Sequence, residues 1–360
     1  MNQPKLYSLE FLRIYACVLV YRWHISRTNI DNNPLLIFFV LSGFVIAYRY
    51  FDRDEPLSLA GTLRFVQRRV SKFYLSHLLL VIAAILPQAW YDRIGRFEFG
   101  MGTPKEFFTK LLLSLTLTQS WSRQYHYCMN GVAWFISALA FFYLLTPLIL
   151  AGLRKLSHWA PFAVIVAGCS VLYANIPGWM GDDYYSTCPL LYLPLYIQGL
   201  TIGSAYLLLL RNKTFANAKT ARSWFALAAV GCYVWHVYAP QQMHLPWLLP
   251  FGFTDLPILL LVFGLAQDVG PIRILGNPVV QFFSGRIMDI YLVHQVWFGY
   301  VDVLSLVLLS RQIYWMNSAR GNIVRLVGTL VLAEILHSVV PRVAAFLKHL
   351  ITQKKTLPNN

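Results

Sequence analysis

Long apolar segments alternate with short polar connections along almost the whole chain. Several of these segments approach the roughly 20 apolar residues needed to cross a hydrocarbon core of about 30 Å. The pattern predicts an all-α, polytopic integral membrane protein with about ten transmembrane helices in a single membrane domain. The predicted spans are residues 6–26, 33–50, 73–91, 132–153, 160–176, 189–210, 223–240, 256–270, 287–310 and 322–347.

One segment, Thr103 to Trp121, departs from this pattern. Its apolar core, residues 111–117, is short and follows two lysines. We expect an interfacial or re-entrant helix here rather than a span. The spans then place residues 1–350 in the membrane domain and leave residues 351–360 as a short basic tail.

Composition excludes an ordinary soluble domain. Apolar residues make up 57% of the 360 residues and charged ones 12%, against roughly 45–50% and about 25% in soluble proteins. A net charge of +15 would suggest a nucleic-acid partner in a soluble protein, but these basic residues lie mostly between spans. The connections on one side of the predicted membrane domain hold roughly twice as many lysines and arginines as those on the other side. We therefore expect no nucleic-acid partner, and a multi-pass protein with both termini in the cytoplasm.

The first predicted span contains three ionisable residues, Glu10, Arg13 and His24. Such residues are rare inside spans and usually mark a site or a pathway. The eleven-residue step from Arg13 to His24 ends about 20° past three full turns, so both project from one helix face about 16 Å apart. Glu10 lies one turn before Arg13 and is placed to pair with it. Spacing alone leaves two interpretations open, a functional site or a snorkelling histidine at a span end.

Other polar residues are weaker candidates. Glu334 and His337 lie one turn apart on the tenth predicted span and are expected to neutralise each other. A basic group on the cytoplasmic side, Arg68, Arg69 and Lys72, would bind lipid headgroups or a polyanion such as a nucleotide thioester. The five cysteines show no metal-binding spacing and are interpreted as isolated apolar residues, with a Cys128–Cys188 disulfide as the alternative.

Five motifs follow one another along the chain: Leu9–Arg13 with His24, Phe38–Phe44, Arg68-Arg69 with Lys72, Asn130–Trp134 continuing through Phe141–Pro147, and Tyr291–His294. Together they resemble acyltransferase family 3, the polytopic acyl-CoA-dependent O-acyltransferases that modify surface glycans. The fourth motif is most similar to the exopolysaccharide-acetylase version. The resemblance covers about residues 6 to 300.

The resemblance implies transfer of an acyl group, acetyl by default, from cytoplasmic acyl-CoA to a sugar hydroxyl of a cell-surface or lipid-linked glycan. It implies a plasma (inner) membrane location, with the bilayer, acyl-CoA and the glycan acceptor as partners. No permanently bound cofactor and no metal is expected, and acetyl-CoA or another acyl-CoA would be a co-substrate. The sequence predicts no particular oligomeric state.

The same resemblance implies roles for individual residues. In our hypothesis, His24 is the base that takes the hydroxyl proton, and Arg13 orients the acyl donor or stabilises the developing negative charge. An acyl-enzyme route through histidine or serine is the alternative mechanism. The basic group would bind the CoA phosphates. The remaining residues expected to line the site are Glu10, Ser42, Trp134, Tyr291 and His294.

The chain also departs from the family pattern. The usual acidic residue of the fourth motif is Leu139, the proline after the basic run is missing, and Arg286 and Asp289 stand where small or apolar residues are usual. Leu139 keeps open the alternative of a catalytically silent relative that acts as a sensor or scaffold. A transporter or flippase for a glycan precursor is the other alternative, although the sequence shows neither the internal repeats nor the broken helices typical of one.

Overall fold

The computed structural model describes residues 3–26, 34–53, 57–94, 100–181, 186–238, 255–309 and 318–356. Within these ranges the regular structure is entirely helical, as the sequence predicts, and every predicted span contains an α-helix. The α-helices are α1 Tyr7–Ser26, α2 Pro34–Tyr50, α3 Leu59–Arg93, α4 Pro104–Leu115, α5 Trp134–Arg154, α6 Trp159–Met180, α7 Pro189–Arg211, α8 Lys213–Asn217, α9 Lys219–Tyr238, α10 Leu256–Leu265, α11 Pro278–Ser284, α12 Ile287–Leu309 and α13 Ala319–Thr356.

Six helices of the described ranges are long and apolar enough to cross a bilayer, namely α3, α5, α6, α7, α12 and α13. A seventh span results if α10 is counted together with the bent piece that follows it. Helix α2 is apolar but has only 17 residues. Helices α1 and α9 are not among the helices that are long and apolar enough to cross a bilayer. The structure thus supports a polytopic membrane protein, and the count of ten spans stays a prediction.

Helix α4 occupies the segment for which the sequence predicts a non-spanning helix. Its 12 residues reach about 18 Å, too short for the hydrocarbon core. A capping box starts it: the Glu106 carboxylate accepts from the Thr103 backbone N–H at 2.8 Å and from the Thr103 hydroxyl at 2.9 Å. These hydrogen bonds lower the pKa of Glu106. The helix is confirmed, and its placement at the membrane surface stays a prediction.

The chain divides into two compact units. Unit 1 comprises Met1–Val66 and Ala138–Gly285, and unit 2 comprises Gln67–Ser137 and Arg286–Asn360. Each unit is built from helices of two distant parts of the sequence.

The centre of unit 1 is the packing of α2 against α7, where backbone meets backbone. A Cβ atom on Gly43 would fall on the carbonyl oxygen of Tyr196, and one on Gly199 would fall on that of Val40, each well inside the 3.0 Å limit of real contacts. Only glycine allows two helices to approach so closely. Gly43 belongs to the second motif, so the structure assigns part of that motif to helix packing.

Aromatic residues of the same motif complete this core. Phe39 is fully buried, stacks on Tyr192 with ring centroids 4.6 Å apart, and meets Phe142 edge-on at 5.5 Å. Phe44 is also fully buried and lies 5.7 Å from the ring of Tyr206. Offset and edge-to-face pairs of this kind add to the stabilisation from burial alone.

The eighth predicted span is broken, which corrects the expectation of a continuous helix over residues 256–270. Helix α10 ends at Leu265, and a 3₁₀ helix, Gly270–Gly276, continues at an angle of 88°. The connection includes Asp268 and Gly270, both in the left-handed region with φ of 45° and 58°. The sequence gives no sign of this break, and no second break of this kind occurs within the described ranges.

Side chains from three other helices pair the carbonyl groups that this break exposes. The Ser8 hydroxyl donates to Leu265 O at 2.7 Å, the Tyr206 hydroxyl donates to Ala266 O at 2.7 Å, and the Arg222 guanidinium donates to Gln267 O at 2.9 Å. The last carbonyls of a helix have no partner within it, and unpaired backbone groups are not tolerated in a lipid environment. These three bonds explain how unit 1 accommodates a helix end among apolar helices.

The close approach of α2 and α7 generates a prediction about stability. Gly43→Ala adds a methyl group where the α7 backbone already lies, which should cost about 1–3 kcal/mol and lower the thermal unfolding temperature of the purified protein by a few degrees. Gly168→Ala is the matched control, since a Cβ on Gly168 meets no atom within 4 Å. Equal unfolding temperatures for the two variants would contradict this account of the packing.

Candidate active site

Unit 1 carries the ionisable residues of the first helix. Arg13 Nη1 lies 3.0 and 3.1 Å from the two carboxylate oxygens of Glu10, which confirms the predicted pair. The Glu10 side chain is 7% exposed and that of Arg13 is 27% exposed. Since only one guanidinium nitrogen contacts Glu10, the N–H groups on Nε and Nη2 remain available to an anion.

His24 lies on the same helix. Helix α1 is continuous from Tyr7 to Ser26, so the calculated separation of about 16 Å along one face applies to Arg13 and His24. The His24 ring is half-buried and meets the ring of Trp23 edge-on, with centroids 4.8 Å apart. Ser42 lies on α2, which packs against α1, and is also half-buried.

The basic group belongs to unit 2 and to α3. Arg68 and Lys72 are exposed and lie one turn apart, while Arg69 is half-buried. Helix α3 has 35 residues and a length of about 52 Å, far more than the hydrocarbon core requires. The basic group occupies the half that precedes the apolar residues. Arg68, Arg69 and Lys72 therefore lie in the N-terminal half of α3, which begins at Leu59.

Two of the motifs meet directly within unit 2. The Asn130 side chain donates from Nδ2 to Leu292 O at 2.8 Å, and the Tyr291 hydroxyl donates to Val132 O at 3.1 Å. The Tyr291 ring also meets Phe135 edge-on at 5.5 Å. A 3₁₀ helix, Gly131–Ala133, forms this junction at the start of α5. Reciprocal bonds of this kind hold the fourth motif against the late one.

His294 and Trp134 lie beside this junction. His294 is 1% exposed, and its Nδ1 lies 2.7 Å from Tyr291 O. A carbonyl oxygen can only accept, so Nδ1 carries the hydrogen and Nε2 is the basic nitrogen of the neutral ring. Trp134 is the first residue of α5 and is 6% exposed. Both residues expected from the resemblance are thus buried parts of unit 2.

The position of the missing acid is apolar. Leu139 is 2% exposed and belongs to the buried face of α5. Ser137, two residues earlier, donates from its hydroxyl to Leu117 O at 2.7 Å and lies 2.6 Å from the Ser120 hydroxyl. Ser137, on α5, therefore holds residues 117–120 of the preceding segment in place.

The unusual charges at the start of α12 and just before it have partners on other helices of unit 2. Arg286 pairs with Glu334 at 2.5 Å, and Asp289 accepts from His337 at 3.1 Å and from the Ser76 hydroxyl at 2.9 Å. The expectation that Glu334 and His337 neutralise each other is therefore wrong. Tertiary packing of α12 against α13 offers Glu334 the guanidinium of Arg286 and offers His337 the carboxylate of Asp289.

Sequence reasoning missed two groups of buried polar residues. In unit 1, Asp255 is fully buried and accepts from the Ser170 hydroxyl at 3.0 Å and from the amide of Gln198. In unit 2, Gln88 and Gln295 lie against the Asn130 segment. Asp255 lies one residue before the predicted eighth span, and Gln88 and Gln295 are uncharged, so the pattern of ionisable residues within the spans reveals none of them.

A cavity of about 360 Å³ in unit 1 is lined by Phe51, Asp52, Arg154, Leu208 and Arg211. Its two arginines are already engaged. Arg211 pairs with Asp52 at 2.5 Å, and Arg154 donates to Phe51 O at 2.7 Å. These bonds identify the cavity as a junction between helix ends, and we do not include it in the candidate site.

All five cysteines lie in the described ranges and carry free thiols. Four of them are buried and Cys232 is exposed. The interpretation of buried apolar residues is confirmed for those four, and the alternative of a Cys128–Cys188 disulfide is wrong.

Comparison with known proteins connects these geometries to a chemistry. The sequence model of the family described as "Acyltransferase domain" matches residues 6–336. Acyltransferase MdmB of Streptomyces mycarofaciens is 24% identical over 375 aligned residues, which cover 93% of this chain and 90% of that protein. No solved structure matches the chain.

The network around Asp289 predicts a difference between two aspartates. Asp289→Ala leaves the buried Ser76 hydroxyl and the His337 ring without their acceptor, which should cost about 1–3 kcal/mol and lower the unfolding temperature by a few degrees. Asp52→Ala is the control, because its pair with Arg211 is solvent-exposed and exposed pairs contribute about 0–1 kcal/mol. A larger loss in Asp52→Ala, measured by thermal unfolding, would contradict the assignment.

Proposed function

The chain belongs to the acyltransferase domain family, and we propose that it transfers an acyl group, acetyl by default, from acyl-CoA to a sugar hydroxyl of a cell-surface or lipid-linked glycan. The donor would bind from the cytoplasm and the acceptor nearer the opposite membrane surface. The protein would work as a multi-pass enzyme of the plasma (inner) membrane, with both termini cytoplasmic and no permanently bound cofactor.

Two residues of α1 carry the proposed chemistry. His24 takes the proton of the acceptor hydroxyl, and the hydroxyl oxygen attacks the thioester carbonyl. The tetrahedral oxyanion then collapses, the carbon–sulfur bond breaks, and the proton passes from His24 to the leaving CoA thiolate. Arg13 orients the donor or stabilises the negative charge. The alternative route, an acyl-enzyme on histidine or serine, predicts label bound to the protein when donor is added without acceptor.

The observation that carries this proposal is the arrangement of Glu10 and Arg13 on the helix that bears His24. A buried carboxylate holds Arg13 by one nitrogen at 3.0 Å. The guanidinium is thereby fixed, while its other N–H groups stay available for a planar anion or an oxyanion. If Arg13 served only to balance the charge of Glu10, nothing would require His24, a second half-buried basic residue, on the same face of the helix.

The remaining residues support this assignment. Arg68, Arg69 and Lys72 would bind the CoA phosphates from α3, where the exposed side chains of Arg68 and Lys72 point away from the protein core. Ser42, Trp134, Tyr291 and His294 would line the acceptor and acyl groups. The His294 tautomer leaves Nε2 as a hydrogen-bond acceptor within unit 2.

A glycan transporter is the second candidate, and the broken eighth span favours it. Interrupted helices often form substrate sites in transporters, and α10 with the following 3₁₀ helix is interrupted by 88°. However, the three carbonyls at this break are already paired by Ser8, Tyr206 and Arg222. The break therefore offers few free groups to a cargo, and we favour acyl transfer. A catalytically silent relative is the third candidate.

Acyl transfer is testable with the purified protein, radiolabelled acetyl-CoA and cell-envelope glycan. We expect label on the glycan with wild type, a loss of about 10²–10⁴-fold in rate for His24→Ala because a general base is removed, and at least a tenfold loss for Arg13→Ala. His236→Ala, at the end of α9, and Arg22→Ala, on α1, are the matched controls and should retain the wild-type rate.

Several outcomes would overturn the proposal. Wild type that transfers no label would favour a transporter or a silent relative, and glycan flux into proteoliposomes would identify the former. A His24→Ala variant as active as His236→Ala would exclude His24 as the base.

A further inference from the structure

Three amide side chains of unit 2 converge on three consecutive residues. Gln88 Nε2 donates to Met129 O at 2.6 Å, Asn130 Nδ2 donates to Leu292 O at 2.8 Å, and the Gln295 amide lies directly against Gly131. The chain brings them from α3, from the start of α5 and from α12. Because successive Cα atoms are about 3.8 Å apart, the three side chains lie along one short stretch of backbone.

Each of these amides leaves its oxygen unpaired. The buried atoms Gln88 Oε1, Asn130 Oδ1 and Gln295 Oε1 have no hydrogen-bond partner among the residues that the structure describes. The donors of Gln88 and Asn130 point at carbonyl oxygens, which only accept, so the orientation of these two amides is determined. Gln88 is 9% exposed and Asn130 is 1% exposed. Two oriented acceptors and the Gln295 amide therefore lie along residues 129–131.

Such a cluster is costly unless something binds to it. Leaving a buried acceptor unpaired destabilises the folded state, and unpaired buried groups in native proteins call for an explanation. The backbone here is also constrained. Met129 is buried with a φ of 58°, a conformation that is uncommon for residues other than glycine. A Cβ on Gly131 would lie only 2.5 Å from Gln295 Oε1, so a larger residue there would force this flexible amide to move.

We propose that Gln88, Asn130 and Gln295 form a hydroxyl-binding subsite, in which their amide oxygens accept hydrogen bonds from neighbouring hydroxyl groups of the sugar acceptor. The ligand must supply at least two donors, because the free atoms of Gln88 and Asn130 are acceptors, and a hydroxyl group can pair with the Gln295 amide in either orientation. The amides carry no charge, which suits a neutral polyol better than a metal ion, for which carboxylates are the usual ligands. This inference rests on the proposed function and names the residues that select its acceptor.

Binding can be tested without turnover. Saturation-transfer difference NMR on the purified full-length protein would use methyl α-D-gluco-, galacto- and mannopyranoside and their monodeoxy derivatives as probes. We expect wild type to bind at least one parent sugar and to bind one of its deoxy derivatives about tenfold more weakly, as the loss of one hydrogen bond to a buried acceptor predicts.

Three variants test whether the discrimination between a parent sugar and its deoxy derivative depends on these amides. Gln88→Met, Asn130→Leu and Gln295→Met should each lower the affinity for the parent sugar about tenfold and remove the discrimination against a deoxy derivative. A purely structural role would instead weaken all probes equally. Gln295→Met is the safest of the three, because within the described ranges only the Gln88 and Asn130 side chains of this group bond the backbone. Gln281→Met and Asn175→Leu are the controls, since these exposed amides also donate to a backbone carbonyl, at 2.9 and 2.7 Å.

The subsite is excluded if no probe binds wild type, or if Gln295→Met binds and discriminates as wild type does. Acyl transfer is scored separately with labelled acetyl-CoA. Transfer by wild type without amide-dependent sugar binding would exclude the subsite and leave the proposed function standing. Amide-dependent binding without any transfer would support the subsite and exclude the enzyme.

Discussion

Pairing of buried polar atoms is the constraint that organises this protein, because apolar helices offer no water to satisfy an unpaired group. The broken eighth span shows how strictly it applies. Helix α10 can end at Leu265 only because Ser8, Tyr206 and Arg222 reach the exposed carbonyls from three other helices. The same rule explains why Arg286, one residue before α12, and Asp289 on α12 are tolerated, since each has a partner on α3 or α13.

The constraint also separates the structural from the chemical part of the sequence motifs. Gly43 and Phe39 are used in packing α2 against α7 and its neighbours, and Tyr291 holds α12 to the start of α5. Arg13 differs, because its carboxylate partner occupies one nitrogen and leaves the other donors available. The amide oxygens around Gly131 differ in the same way. In our account, binding and chemistry take place where pairing within the protein is incomplete.

Local features of this fold could be predicted from the sequence, and long-range partners could not. Apolar runs place the helices correctly, and Glu10 pairs with Arg13 because helix geometry alone brings residues one turn apart together. The break after Leu265 escaped prediction because Ser8 and Arg222, which make it possible, are distant in sequence. Glu334 and His337 were assigned to each other because their partners, Arg286 and Asp289, are each 48 residues away in sequence. Gln88 and Gln295 were missed because the search for polar residues in the spans considered charges alone.

The central claim is that His24 removes the proton from the acceptor hydroxyl, and chemical rescue tests it most directly. His24→Ala should lose acyl transfer to glycan and regain a measurable part of it when imidazole is added, with a rate that follows the concentration of neutral imidazole. The variant should unfold at the same temperature as wild type, which excludes a loss of fold. A folded His24→Ala protein that imidazole does not rescue at any concentration, or one that needs no rescue, would contradict the account.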